Sequence, residues 1–258
     1  MNIHRSVERA LETLIFLSKS KEGRTLTEIC TLLDAPKTSM NPIVFTLVQK
    51  GFLEYNTSTN KYTMGMASWE VGRQYLDHFE FLPFVQNQMN KVVTRCLETS
   101  YFATLQGGDV VYLLKEDSPE RIRMVSTVGT RFPAYATALG KAMMSQFTQS
   151  EIVSRYPDGF KPITPKTITD IDAFMAEMGR INQSGIAADD EEAMEEVVCR
   201  AVPICRNGKP VAAISVSTPL YRFTAEKEAT IVEQLKVAKY EIEQVIEKMP
   251  AHLSPEIR

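Results

Sequence analysis

Asn207-Gly208 sits between two β-rich runs, Val197 to Cys205 and Val211 to Thr218. Asn-Gly flanked by such runs is the strongest short hairpin signal in a sequence, because both residues tolerate the positive φ of a tight turn. The first run alternates with a period near two, so alternate side chains share a face. Ser215 and Ser217 therefore point to one side of the sheet, and Cys199 falls on the facing strand. Each hydroxyl on a buried face needs a hydrogen-bond partner. Neighbouring strands or water can serve, and so can a polar ligand. Gly185-Ile-Ala-Ala and an acidic loop from Asp189 to Glu196 lead into this ribbon.

The rest of the chain is read around it. At 258 residues there is room for one large or two ordinary domains. No apolar run reaches the roughly 18 residues of a membrane span, and Met-Asn-Ile-His-Arg at the start lacks an apolar signal region. A cytoplasmic protein with no membrane partner is expected. Cys30, Cys96, Cys199 and Cys205 form no Cys-x-x-Cys pair, so neither a disulfide framework nor structural zinc is expected. The net charge of −3 argues against wholesale coating of nucleic acid. Its distribution is uneven. Residues 1–64 carry eight Lys or Arg against six Asp or Glu, a net +2, and the remainder carries 21 against 26, a net −5.

That basic segment has a recognisable order. Ser6 to Ser18 has apolar residues at helical spacing with Ser6 as N-cap; Thr27 caps a second helix ended by Asp34-Ala35-Pro36; a third stretch runs from Lys37 to Lys50. Two short β runs, Phe52 to Tyr55 and Lys61 to Met64, flank a polar turn. Helix, helix, turn, helix, hairpin within about 60 residues is the order of a winged helix-turn-helix. The third helix would enter the major groove, with Lys37, Thr38, Ser39, Asn41 and Thr46 as candidate DNA contacts and Lys61 on the wing. Pro42 conflicts with a helix from Lys37, since proline is comfortable only in the first turn. A helix capped by Asn41 and beginning at Pro42 would resolve this, leaving Lys37 to Met40 as loop.

Gly65 to Phe79 reads as a linker helix bearing the one tryptophan, Trp69, and Pro83 ends that element. Phe84 to Glu98 is a further helix, Tyr101 to Lys115 a hairpin across Gly107-Gly108, and Arg121 to Val128 another strand. A helix of small residues starts near Thr137. Small residues let a ligand approach the amides of Thr137, Ala138 and Leu139, where an anion is favoured; equally, they permit close helix–sheet packing. Asp170 to Ser184 and Thr224 to Met249 complete the helices.

Several motifs in order then resemble the IclR family of bacterial transcriptional regulators, over nearly the whole chain. They are Gly129-x-Arg131-x-Pro133, Tyr135-Ala-Thr137-Ala-x-Gly140-Lys141-Ala142, Asp189-Asp-Glu-Glu192, Cys199-x-Ala-x-Pro203 and Ala213-Ile-Ser215-Val-Ser217. The resemblance implies an α+β chain: a winged helix-turn-helix over 1–64, a linker helix over 65–80, an effector-binding and oligomerisation domain over 81–250, and a loose tail over 251–258. The effector domain would hold a curved, mainly antiparallel sheet flanked by helices, like GAF and PAS modules. Implied partners are double-stranded DNA with a partly palindromic operator, a small carboxylate effector (sugar acid, keto acid or aromatic acid), and further copies of the chain in a homodimer or a tetramer built as a dimer of dimers. Matched by position, Thr137, Ala138, Leu139, Asp189, Cys199, Ser215 and Ser217 are the effector-binding candidates. Three departures from the family's common pattern stand out: Glu196 where Gly is usual, Pro42 in place of a common Arg, and Met40-Asn41 in place of a common branched–aromatic pair.

The expectation is a ligand-responsive repressor with no cofactor, no metal and no catalytic residues. The alternative is a stand-alone metabolite-binding protein or a thiol-dependent enzyme using Cys199. A thiol nucleophile needs a base, and the three histidines, His4, His78 and His252, lie outside the motif stretches.

Overall fold

A computed structural model describes residues 3–77, 79–124 and 126–249. The tail expected at 251–258, with His78 and His252, lies outside them. The chain forms two compact units, Met1–His78 and Phe79–Arg258.

The first unit contains α1 (Arg5–Ser18), β1 (Arg24–Thr25), α2 (Leu26–Leu32), α3 (Lys37–Gln49), β2 (Leu53–Asn56), β3 (Lys61–Met64) and α4 (Met66–Asp77). The strands form an antiparallel sheet in the order β1-β3-β2, which is the wing. Leu17, Ile29, Met40, Val44 and Leu53 make its small core, each 1% exposed or less. Two caps differ from expectation. Thr25, not Thr27, caps α2, in a capping box in which the Glu28 N–H donates to Thr25 Oγ1 and the Thr25 N–H donates to Glu28 Oε2. Ser6 is already inside α1, whose first bonds run from the Val7 and Glu8 amides to the His4 carbonyl.

Pro42 does not open a late helix. α3 starts at Lys37 after Pro36 and passes straight through Pro42. The missing N–H forfeits one bond to the Thr38 carbonyl. Met40 and Val44, on either side of the proline, are buried in the core and hold the helix on course. The linker helix α4 belongs to this unit, tied to the end of α3 and the start of the wing: Ser68 Oγ donates to the Phe52 carbonyl at 2.9 Å and the Ala67 N–H to the Gly51 carbonyl at 3.1 Å.

The second unit is a six-stranded, wholly antiparallel sheet in the order β6-β5-β4-β9-β8-β7. Its strands are β4 (Thr99–Gln106), β5 (Asp109–Glu116), β6 (Arg131–Pro133), β7 (Ala187–Asp190), β8 (Val197–Arg206) and β9 (Lys209–Pro219). The β8–β9 turn is the one anticipated, with Asn207 at φ 50° and Gly208 at φ 74°. Two helices, α5 (Leu82–Cys96) and α9 (Ala225–Ile246), pack together, α9 lying along β8. Pro83 starts α5 rather than ending α4. The opposite side takes α6 (Ala138–Met144) and α8 (Ile171–Ser184), with α7 (Gln149–Arg155) beyond them.

Arg121 to Val128 is not a strand among its described residues. Most of these side chains face solvent instead: Arg123 Nε lies 3.4 Å from Asp117, and Ile122 is 65% exposed. The sheet edge is instead closed by β6, which follows a turn at Gly129.

Candidate functional site

On the α6 and α8 side of the second unit lies a pocket of about 30 Å³, its walls mainly apolar with a few polar side chains among them. Three elements build it. The register Cys199↔Ser217 and Ala201↔Ser215 sets Cys199, Ser215 and Ser217 on one face, and the Cys199 thiol sits 3.1 Å from the Ser217 hydroxyl. Asp189 is not in a loop: it lies on β7 directly opposite Cys199, and its side chain reaches the same pocket. Thr137 caps α6, accepting the Gly140 N–H on Oγ1 at 3.0 Å and the Lys141 N–H on its carbonyl at 3.0 Å. The Ala138 and Leu139 amides are thus the first-turn donors left without an intrahelical acceptor. Thr137 and Leu139 line the pocket; the Ala138 side chain is buried in the adjoining core. Gly140 is small for packing, because a Cβ there would meet the Ala134 carbonyl oxygen at 2.1 Å.

Sequence reading missed the far wall. Tyr101 and Tyr112 stack at 4.5 Å, with Phe132 5.8 Å beyond. Their strand alternation pointed inward; nothing local said what they would meet. The Tyr101 hydroxyl is buried and meets the Ser126 side chain, which also lines the pocket. Behind the pocket, the fully buried Lys141 ammonium donates to Glu192 Oε1, while Glu192 Oε2 is unpartnered.

Charge in the pocket is unusual. Asp189 Oδ1 accepts the Glu192 N–H at 2.7 Å and the Ala193 N–H at 3.3 Å. Burial nevertheless pushes its carboxyl up to about 7, against the pull of those amides and of Lys141. Burial also drives the Cys199 thiol far above its ordinary range, with Asp189 adding to the effect. A protonated thiol bonded to a serine is a poor nucleophile, which weighs against thiol chemistry. Among the described residues, no group of His, Cys, Asp and Glu is arranged to hold a metal ion, and no helix is long and apolar enough to cross a membrane.

In the first unit, α3 presents Lys37, Thr38, Asn41, Phe45 and Thr46 to the outside. Ser39 is turned away: half-buried, it accepts from Arg9 Nη1 at 2.9 Å and donates to the Pro36 carbonyl. Thr46 Oγ1 donates to the Pro42 carbonyl at 2.7 Å. Lys61 is half-buried at the start of β3, 3.9 Å from Glu22. Phe45, 65% exposed one turn beyond Asn41, was not among the residues singled out in the sequence; its spacing from Asn41 was the available signal.

A winged helix-turn-helix joined to a sheet domain with a small pocket that holds a few polar side chains defines the class of two-unit transcriptional regulators. Comparison with known proteins makes the class specific. The family description "Bacterial transcriptional regulator IclR C-terminal" matches residues 73–244, and "IclR helix-turn-helix domain" matches residues 6–57. The chain belongs to the IclR family of transcriptional regulators, whose members are regulators and not enzymes. It is 28% identical over 241 residues to the HTH-type transcriptional regulator XynR of Escherichia coli (strain K12), spanning 92% of this chain and 95% of that one. Against the HTH-type transcriptional repressor AllR of Salmonella typhi it is 25% identical over 224 residues, 86% of this chain and 82% of that one. An IclR homologue from Microbacterium hydrocarbonoxydans, solved in complex with 4-hydroxybenzoate, superposes with a TM-score of 0.77 at 24% identity, over 93% of this chain and 96% of its own. Regulators of this family bind DNA through the helix-turn-helix unit and small molecules through the C-terminal one.

Proposed function

We propose that this chain is a cytoplasmic repressor that binds a partly palindromic operator as a homodimer or a dimer of dimers and is released by a small carboxylate effector. The observation that carries the effector half is the pocket itself, where Asp189, Cys199, Ser215, Ser217 and Thr137 converge from separate elements. A ligand hydroxyl would pair with Asp189 and the serines, and its carboxyl group would lie toward the Ala138 and Leu139 amides. Size favours a hydroxy or keto acid over an aromatic one: a water needs about 10–15 Å³ of such space, so about 30 Å³ suits only a few heavy atoms without rearrangement. Lys37, Thr38, Asn41, Phe45 and Thr46 would face the major groove, with Lys61 on the backbone. Ser39 would act through Arg9. The relative AllR, named a repressor, supports the direction of the response.

A second copy is implied by α1, where Val7, Leu11 and Ile15 are each more than half exposed at helical spacing. To alter DNA binding, the effector must bind one arrangement of the paired units better than another. Footprinting of the DNA upstream of the gene, with and without small hydroxy and keto acids, tests the reading. A protected, near-palindromic site that an acid abolishes is expected. Ser215→Ala with Ser217→Ala should keep the footprint and blunt its response; an undiminished response would move the effector elsewhere.

A further inference from the structure

The residues lining the pocket include Asp189 and, among the described residues, no Lys, Arg or His. An anionic effector would therefore enter a small space whose one formal charge is of its own sign. Such a pair of carboxylates cannot both stay ionised at close range. We infer that the effector is a two- to four-carbon carboxylic acid that enters together with one proton, which Asp189 takes up in the complex. This deepens the regulator reading above and rests on it.

The surroundings of Asp189 do not supply a compensating cation. From α6, Lys141 approaches, but its ammonium is held by Glu192 and that pair is neutral as a unit. From the segment after β7, Glu192 adds a carboxyl of its own, itself pushed upward by burial, with Glu177 of α8 near it. Glu191 is turned to Lys166. From β8 comes the Cys199 thiol, and from β5 and β4 the Tyr112 and Tyr101 phenols, all raised by burial and so neutral. β9 offers only the Ser215 and Ser217 hydroxyls. Arg200, the next residue on β8, points to the other face, where Asp190 takes it at 2.6 Å and Glu228 also binds it. Asp189 is already half protonated near pH 7, so the proton is available under ordinary conditions.

The sign follows by linkage. An effector carboxylate raises the Asp189 pKa further in the complex, so its affinity is full below about pH 7 and falls as pH rises, about tenfold per pH unit while one proton is taken up. An uncharged hydroxylated ligand does the opposite, because ionised Asp189 accepts its hydroxyls better, and affinity rises with pH. The experiment is calorimetric titration of the full-length protein with glycolate, lactate and pyruvate, and with the uncharged glycolamide and lactamide, from pH 6 to 9 in buffers of different ionisation enthalpy. At least one acid should bind, more weakly as pH rises, with close to one proton taken up at pH 8. Asp189→Asn should abolish the slope and the uptake; the wild-type proton count stands even if that variant folds poorly. Binding that is flat with pH, proton release, preference for the amides, or no binding by any acid at pH 6 overturns the inference. A gel shift on the same samples separates the two readings. A protein that binds its upstream DNA but answers to an amide loses only the proton pairing, whereas one that binds no DNA at any pH loses the regulator reading itself.

Discussion

Glu196 shows what a single residue can carry. The resemblance to the family implies Gly at this position, and the backbone holds φ 64°, the left-handed region where a side chain is strained. The conformation persists because its amide donates to Glu191 Oε2 and its carbonyl accepts from Leu220. The loop thus keeps the path that glycine would take and bears the strain. Its side chain is exposed. Glu196→Gly should therefore raise stability by about 0.5–1 kcal/mol, the left-handed strain relieved less the added freedom of the unfolded chain. Urea unfolding should show a higher midpoint with an unchanged slope; a lower midpoint would mean that the Glu196 side chain makes a contact of its own. Residues differed in how far their roles could be read in advance. Cys199, Ser215 and Ser217 were legible as a group because a strand's two-residue period is local. Tyr101 and Lys141 were not, since their importance depends on which strand and helix they meet across the fold.

At the level of elements the same division holds. The β8–β9 ribbon and the wing were legible from turn chemistry. The false strand at Arg121 to Val128 copied the period of a strand without an edge to pair with, and only three-dimensional context reveals that. Helix starts failed where two cap candidates lay close together, as with Thr25 and Thr27: the capping box decided by adding a second bond from Glu28. α3 is the sharpest case. Helix chemistry put its start at Pro42, but tertiary packing of Met40 and Val44 overrode that local preference. The override should be measurable. Pro42→Ala restores the bond to the Thr38 carbonyl and removes the ring's crowding. The first unit should gain about 1–3 kcal/mol, with the second unit's transition unmoved. Calorimetry of the full chain resolves the two; a first unit left no more stable would show that the helix has already relaxed around the proline.

For the molecule as a whole, the two units divide labour because they divide their cores. Every hydrophobic core residue of the winged unit lies between Leu14 and Met64, and every pocket-lining residue lies between Tyr101 and Ser217. α4, tied to the wing by Ser68, goes with the first unit. Deleting residues 1–78 should therefore remove no strand of the six-stranded sheet and no wall of the pocket. The remaining chain is of ordinary domain size and should unfold cooperatively on its own. It should show the same ligand-induced thermal shift as the intact protein, and no gel shift with upstream DNA. Residues 1–78 alone keep α3 but lose whatever pairing the second unit provides. Their DNA affinity should fall steeply, since two half-sites bound by linked heads gain from effective concentration what one head cannot. If the truncated protein folds yet loses its ligand response, the pocket is not self-sufficient, and the first unit must contribute to ligand binding as well as to the reading of DNA.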